Sequence, residues 1–230
     1  MTIELVAFDL DGTLVDSAPD IARAVQFTMK ELHLVPPTIE EVCGWVGDGL
    51  TKLLKRALTG DYQGEPLPGQ LEQARALFRR AYAENLCVDS RLYPGTLQTL
   101  ELLEQSCLLV CITNKSAEFT EPLLKALGVY GHFDLVMSGD TLPVMKPDPL
   151  PLLDAAAECG VAPGDCCMVG DSRNDMLAAR AAGFRAVGVS YGYRQGADLK
   201  ALGAEVILDS MAELPPWVAA TGLAAPRASG

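Results

Sequence analysis

Asp9 and Asp11 stand one residue apart at the end of an apolar run, in IELVAFDLDGTLV. An ionised carboxylate leaves water at high cost unless it is paired or bound to a metal, so two of them closing a buried strand call for a reason. Carboxylates so placed can hold a hard divalent cation, attack an electrophile, or give and take a proton. They can also be turn formers, since Asp-Gly is a common turn pair. Other polar groups end apolar runs further along: Thr113-Asn114-Lys115, and Gly170-Asp171-Ser172-Arg173-Asn174-Asp175. Lys146-Pro147-Asp148 precedes a helical pattern. Singly, Thr113 and Asn114 suit a loop, Lys146 a solvated charge, and Ser172-x-x-Asp175 a capping box. Yet Lys146 is badly placed to stabilise a helix start, which already carries partial positive charge. Asp171 resists a turn explanation, because it ends an apolar strand beside a glycine.

The elements that would position these groups are readable from apolar patterning. Runs at 3–10, 108–113, 135–138, 166–169, 186–190 and 206–208 predict strands buried on both faces. Amphipathic segments at 118–127, 150–159 and 176–182 each lead into a glycine, a helix C-terminal signal. Strands alternating with helices predict an α/β fold, a Rossmann-like parallel sheet with helices on both faces. Ligands in such sheets sit beyond the C-terminal strand ends. The polar groups above are delivered there. Between 17 and 86 the alternation stops. Helices are predicted at 21–32, after Thr38 with Glu41 (a capping box), at 50–58 behind Gly47-Asp48-Gly49, and at 71–84. The expected organisation is a core of 1–16 and 87–216, an inserted all-helical domain of 17–86, and a disordered tail of 217–230.

Composition narrows the function classes. The chain has 230 residues, 49% hydrophobic and 21% charged, with a net charge of -12. That charge argues against nucleic acid and anionic membranes as partners. No apolar run reaches the roughly 20 residues of a membrane span, and no N-terminal signal is expected. Seven cysteines without metal or disulfide spacing suit reduced thiols in a cytoplasm. An anionic ligand would nevertheless need a local positive centre.

Taken in order, DLDGT at 9–13, the Thr113 strand end, Lys146 before a proline, and GDSRND at 170–175 resemble the four motifs of the haloacid dehalogenase superfamily. The resemblance spans nearly all of residues 3–210 and matches the 17–86 insertion to that family's helical cap. It implies Mg²⁺ and a covalent aspartyl-phosphate intermediate. Asp9 would be nucleophile and metal ligand, with Asp171 the second carboxylate ligand. Asp11 would ligate through its backbone carbonyl and use its side chain as acid, then base. Gly12 would let the chain turn away. Thr113 and Asn114 would bind phosphoryl oxygens, Lys146 would supply fixed positive charge to the nucleophile and substrate, and Asp175 would orient metal-bound water or Lys146. The positive centre would then be an imported ion plus one lysine. A halide leaves without a proton and an alkoxide does not, so Asp11 favours phosphoryl transfer over dehalogenation.

VGDGL at 46–50, DSRLYPG at 89–95 and YGY at 191–193 with Gly196 are similar to the bacterial phosphoglycolate phosphatases, which usually show Asn where this chain has Arg194. The implied substrate is a small phosphorylated metabolite, 2-phosphoglycolate. The alternatives are a sugar-phosphate phosphatase or β-phosphoglucomutase-like enzyme, and a non-catalytic binding protein on the same scaffold. Gly47 and Gly49, at a helix start, are candidates for reading the leaving group's carboxylate. Lys52, Lys55 and Arg56 suit a solvated basic face. The expected assembly is a monomer or homodimer.

Overall fold

A computed structural model gives the protein's structure over residues 2–193 and 196–222. The chain opens with β1 (Leu5–Phe8), buried throughout, and passes through a short strand, β2 (Val15–Asp16). Then come α1 (Ala18–Glu31), α2 (Ile39–Cys43), α3 (Leu50–Thr59) and α4 (Gln70–Glu84). The chain returns along β3 (Arg91–Leu92), antiparallel to β2. Helix and strand then alternate: α5 (Thr96–Leu103), β4 (Leu108–Ile112), α6 (Ala117–Ala126), β5 (Leu135–Met137), α7 (Leu150–Glu158) and β6 (Cys166–Gly170). The last elements are α8 (Arg173–Ala182), β7 (Arg185–Val189), β8 (Val206–Leu208) and α9 (Leu214–Thr221).

Among the described residues the main sheet is parallel, in the order β5-β4-β1-β6-β7-β8. The chain reverses its direction of travel at β1, which is where an open sheet forms a crevice at its strand ends. Side chains alternate across β1 with a period of two. Val6 and Phe8 join a core with Leu100, Leu103, Leu123 and Val218, whereas Leu5 and Ala7 join another with Leu152, Ala155, Met176 and Ala179. Both faces are covered, which is why the strands read as unbroken apolar runs.

The inserted helices bury their own core, with Ile21, Val25, Met29, Leu53, Leu54, Phe78 and Tyr82 at its centre. Phe119 of α6 also enters it and ties the insertion to the sheet domain. The Thr38–Glu41 capping box forms as predicted. Two features depart from expectation. The β2–β3 ribbon and α5 have too short or too weakly periodic a pattern to be read from sequence. The tail expected from 217 is instead helical through Thr221. Pro215 and Pro216 occupy the first turn of α9, where a missing N–H costs nothing. Val218 is buried, Trp217 packs on the core, and the Ile3 N–H bonds the Gly222 carbonyl at 2.9 Å. Residues 223–230 lie outside the described residues, as does Arg194.

Candidate active site

β1, β4 and β6 end side by side, so the residues that follow them, Asp9, Thr113 and Asp171, share the crevice. Lys146 reaches in from the segment before α7. Its Nζ donates to Asp9 Oδ1 at 2.9 Å, Asp175 Oδ1 at 2.7 Å and the Ile112 carbonyl at 2.5 Å. Those three acceptors match the three N–H donors of an ammonium, so direct donation to a phosphoryl oxygen would have to displace one of them. Burial pushes the Asp9 carboxyl up to about 7, against the pull of Lys146 and with help from the neighbouring Asp175. Burial likewise works against the Lys146 ammonium, but Asp175 and Asp9 together hold its proton affinity above the usual lysine range. Asp175 carries out both roles open to it. One oxygen holds Lys146 while the other accepts from the Ser172 N–H at 3.0 Å and Oγ at 2.6 Å, capping α8.

Asp171 accepts from Thr13 Oγ1 at 3.3 Å and from the Tyr193 N–H at 2.6 Å. Gly12 has φ +88°, and a Cβ there would collide with the Asp171 carboxylate, so both conformation and close approach demand glycine. Carboxylate oxygens of Asp9, Asp171 and Asp175 lie within 4.8 Å of one another. Hard oxygen donors so clustered fit Mg²⁺, which binds through one or two carboxylates and keeps several waters. Asp175 is committed to Lys146 and Ser172, so Asp9 and Asp171 are the side chains best able to hold the ion.

The Asp11 side chain turns elsewhere. It accepts from Ser17 Oγ at 2.5 Å and from Lys115 Nζ at 3.1 and 3.2 Å. Lys115 is nearly buried, with its ammonium 4.8 Å from the centroid of the Tyr82 ring. Burial opposes that charge, but Asp11 and the Tyr82 side chain together hold its proton affinity above the usual lysine range. Asp9, Asp11, Thr113, Asn114 and Lys115 line a cavity of about 60 Å³ whose roof comes from the insertion, including Ile21, Leu53, Phe78 and Tyr82. Gly47 and Gly49 line it too. The Gly47 carbonyl accepts from Asn114 Nδ2 at 2.9 Å and Asn174 Nδ2 at 3.1 Å, so this turn docks the insertion onto the sheet domain. Asn114 spends its amide on Gly47 and on the Lys146 carbonyl, which makes it a docking residue in this arrangement. Thr113 Oγ1 accepts from the Lys115 N–H at 3.2 Å.

Residues 3–183 match the family described as haloacid dehalogenase-like hydrolase. The chain belongs to that family. Phosphoglycolate phosphatase of Thiobacillus denitrificans is 44% identical over 93% of this chain and 94% of its own, and that of Nitrosospira multiformis is 45% identical over the same shares. The crystal structure of a predicted phosphoglycolate phosphatase from Haemophilus somnus superposes with a TM-score of 0.89 at 34% identity, covering 94% of this chain and 98% of that one. CbbY from Rhodobacter sphaeroides, solved in complex with phosphate, has a TM-score of 0.78 at 26% identity over 93% and 96%. Within the family the chain is a phosphatase, a hydrolase of phosphoric monoesters.

This haloacid dehalogenase-like hydrolase also uses residues that its motifs do not announce. Lys115 follows Thr113 and Asn114 in the sequence, but nothing in its local pattern set it apart from a solvated loop lysine. Asp20, in the first turn of α1, accepts from the Asp89 and Ser90 N–H groups and from Ser90 Oγ, pinning together the two crossings between insertion and core. Tyr193 Oη accepts from the Ser17 and Ala18 N–H groups at 2.9 and 2.8 Å, capping α1, and donates to Asp16. Tyr191 Oη donates to the Thr13 carbonyl at 3.0 Å. The YGY segment thus fastens the chain around the Asp9–Thr13 turn. Arg56 departs from the expected solvated face: it is buried, paired with Asp48 at 2.5 Å and bonded to the Trp45 carbonyl. The Asp48 carboxylate, bound by Arg56 and Asn174, is thereby held. Among the described residues no helix is long and apolar enough to cross a membrane, and none of the seven cysteines is disulfide-bonded.

Proposed function

We propose that the protein is a Mg²⁺-dependent phosphatase that hydrolyses 2-phosphoglycolate to glycolate and phosphate in the cytoplasm, through an aspartyl phosphate on Asp9. The observation that carries the reading is the small cavity between the sheet domain and the insertion, lined by Asp9 and Asp11. Its 60 Å³ corresponds to roughly four to six water positions. A two-carbon leaving group suits that space, whereas a hexose would have to extend beyond it or move the insertion outward, which disfavours the sugar-phosphate and mutase alternatives. The names of relatives 44–45% identical over nearly the whole chain support the same substrate. The intact set of buried catalytic groups and membership of a hydrolase family set aside a non-catalytic scaffold.

The chemistry divides between the two carboxylates. An Asp9 oxygen attacks phosphorus as the bond to the bridging oxygen breaks, and Asp11 delivers its proton to the departing alkoxide. Asp11, now a carboxylate, takes a proton from water as that water attacks the aspartyl phosphate, and Asp9 and the protonated Asp11 are regenerated. Mg²⁺, when bound by Asp9, Asp171 and the Asp11 backbone carbonyl, supplies positive charge that offsets repulsion between the anionic ester and Asp9. Lys146 keeps a fixed positive charge against Asp9 from behind. Ser17 and Lys115 orient the Asp11 carboxyl. The insertion acts as a cap that excludes water once docked through Asn114 and Asn174.

The test is kcat/KM across 2-phosphoglycolate, ethyl phosphate, p-nitrophenyl phosphate and glucose 1-phosphate, with Mg²⁺ and with chelator. Phosphoglycolate should lead by at least about tenfold, equivalent to about 1.4 kcal/mol of transition-state stabilisation, and chelation should abolish turnover. A sugar phosphate turned over faster than phosphoglycolate would overturn the assignment.

A further inference from the structure

The cavity wall contributed by the insertion is apolar apart from one hydroxyl. Tyr82, on α4, is 1% exposed, and its Oη meets no partner in good hydrogen-bond geometry, the nearby Lys115 ammonium lying over the ring instead. A buried polar group left unpaired is destabilising, so one preserved on a ligand cavity calls for a partner that arrives with the ligand. Across from it stands Lys115, whose ammonium lies over the Tyr82 ring and touches both oxygens of Asp11. Lysine presents three N–H donors, so Asp11 need not exhaust it. Lys115 is the one basic side chain lining this cavity among the described residues. Three of the insertion's basic residues, Lys52, Lys55 and Arg56, line a different groove together with Asp48, Glu65 and Arg173.

We propose that Lys115 and Tyr82 together form the subsite for the leaving group's carboxylate, with the Lys115 ammonium and the Tyr82 hydroxyl each donating a hydrogen bond to it. The inference rests on the phosphatase reading of the site and names what selects an acidic leaving group. Its geometry follows from Asp11. The leaving oxygen must lie within hydrogen-bond reach of the Asp11 carboxyl to receive its proton. In 2-phosphoglycolate one methylene separates that oxygen from the carboxylate. The carboxylate therefore falls beside Asp11, whose side-chain partners are Ser17 and Lys115, and of these two Lys115 lines the cavity and carries the positive charge. A carboxylate accepts at both oxygens and satisfies ammonium and phenol at once. Lys115 belongs to the sheet domain and Tyr82 to the insertion, so the subsite is complete only when the two are docked. Carboxylate recognition and closure are thus one event, and a neutral leaving group forfeits both contacts.

The experiment compares kcat/KM for 2-phosphoglycolate with that for ethyl phosphate, which has a neutral leaving group, in wild type, Tyr82→Phe and Lys115→Met. Lys115→Met also removes a partner of Asp11 and lowers both rates, so the ratio of the two substrates is the readout. The ratio should fall by about 10- to 150-fold in each variant, the range for a lost hydrogen bond to a charged group. Tyr82→Phe removes an unpaired hydroxyl and should leave the melting temperature unchanged or raised, so it tests the subsite even if Lys115→Met fails to fold. An unaltered ratio in Tyr82→Phe, with wild type still preferring phosphoglycolate, overturns the subsite and leaves the phosphoglycolate assignment standing. A wild-type enzyme with no preference for the carboxylated substrate overturns both.

Discussion

Replacing Lys146 with Met should expose how Asp9 is held. The Lys146 Nζ is 2.9 Å from Asp9 Oδ1 and 2.7 Å from Asp175 Oδ1, and the three side chains are 2%, 9% and 1% exposed. Lys146→Met keeps much of the side-chain volume and strands two carboxylates beside each other without their cation. Breaking a buried ion pair by removing one partner costs about 3–5 kcal/mol. At about 2.1 cal/mol/K of unfolding entropy per residue, 230 residues give about 0.5 kcal/mol/K, so the melting temperature should drop by about 6–10 °C. The measurement is calorimetric unfolding in chelator, which removes the contribution of any bound metal. The loss should also depend on pH. Asp9 already binds its proton up to about 7, and losing Lys146 raises that value further. A carboxyl whose folded value lies above its unfolded value destabilises the fold as pH rises past the unfolded value, and wild type and variant differ in this where folded wild-type Asp9 ionises, above about 7. The penalty should thus be larger at about pH 8 than at about pH 5.5. Adding Asp175→Asn should cost less than the sum of the single changes, with a coupling of about 0.5–3 kcal/mol. A pH-independent loss below about 1 kcal/mol, additive with Asp175→Asn, would refute the claim that Lys146 neutralises this pair.

Asp11→Asn removes the proton donor, so its effect on first-product release in single turnover should grow with leaving-group pKa across phenyl and alkyl phosphates; equal losses would exclude the acid role. Gly49→Val should depress kcat/KM for phosphoglycolate and p-nitrophenyl phosphate alike, because φ +81° strains any side chain and its Cβ would press on Met145 Sδ at 3.3 Å, opposing cap docking; selective loss of phosphoglycolate would return the turn to substrate recognition. Asp20→Ala should cost about 1–3 kcal/mol by leaving the Ser90 and Asp89 N–H groups unpaired. Burial alone would raise the Asp20 carboxyl, but bonds from Ser90, Asp89 and Arg23 hold it below the ordinary value. Its contribution should therefore be full at neutral pH and fade as acid titrates it through that lowered value, which urea unfolding of wild type and variant across the acid range would measure.

The parallel sheet was legible because strands buried on both faces leave unbroken apolar runs, and helices between them leave a 3.6-residue stripe ending at glycine. The candidate site was legible for a related reason: carboxylates at a strand end conflict with local burial, and Asp9, Asp11 and Asp171 stood out as that conflict. Local patterning also revealed the Thr38–Glu41 cap, since both partners lie within one turn. Interactions between residues distant in sequence left no such trace. Whether Lys146 was a solvated charge or the counter-ion of Asp9, 137 positions away, was decided by strand order and register. The same holds for Lys115 meeting Asp11 across 104 positions, and for Tyr193 capping α1 from 175 or more positions downstream. Arg56 looked like part of a basic helix face, and the fold of the insertion turned it instead onto Asp48 and the Trp45 carbonyl, across the loop that precedes its helix. Sequence spacing reports contacts along a strand or around a helix, where geometry repeats every two or 3.6 residues. Which charge neutralises which carboxylate depends on where the sheet and the inserted helices meet, and that is a property of the packed chain.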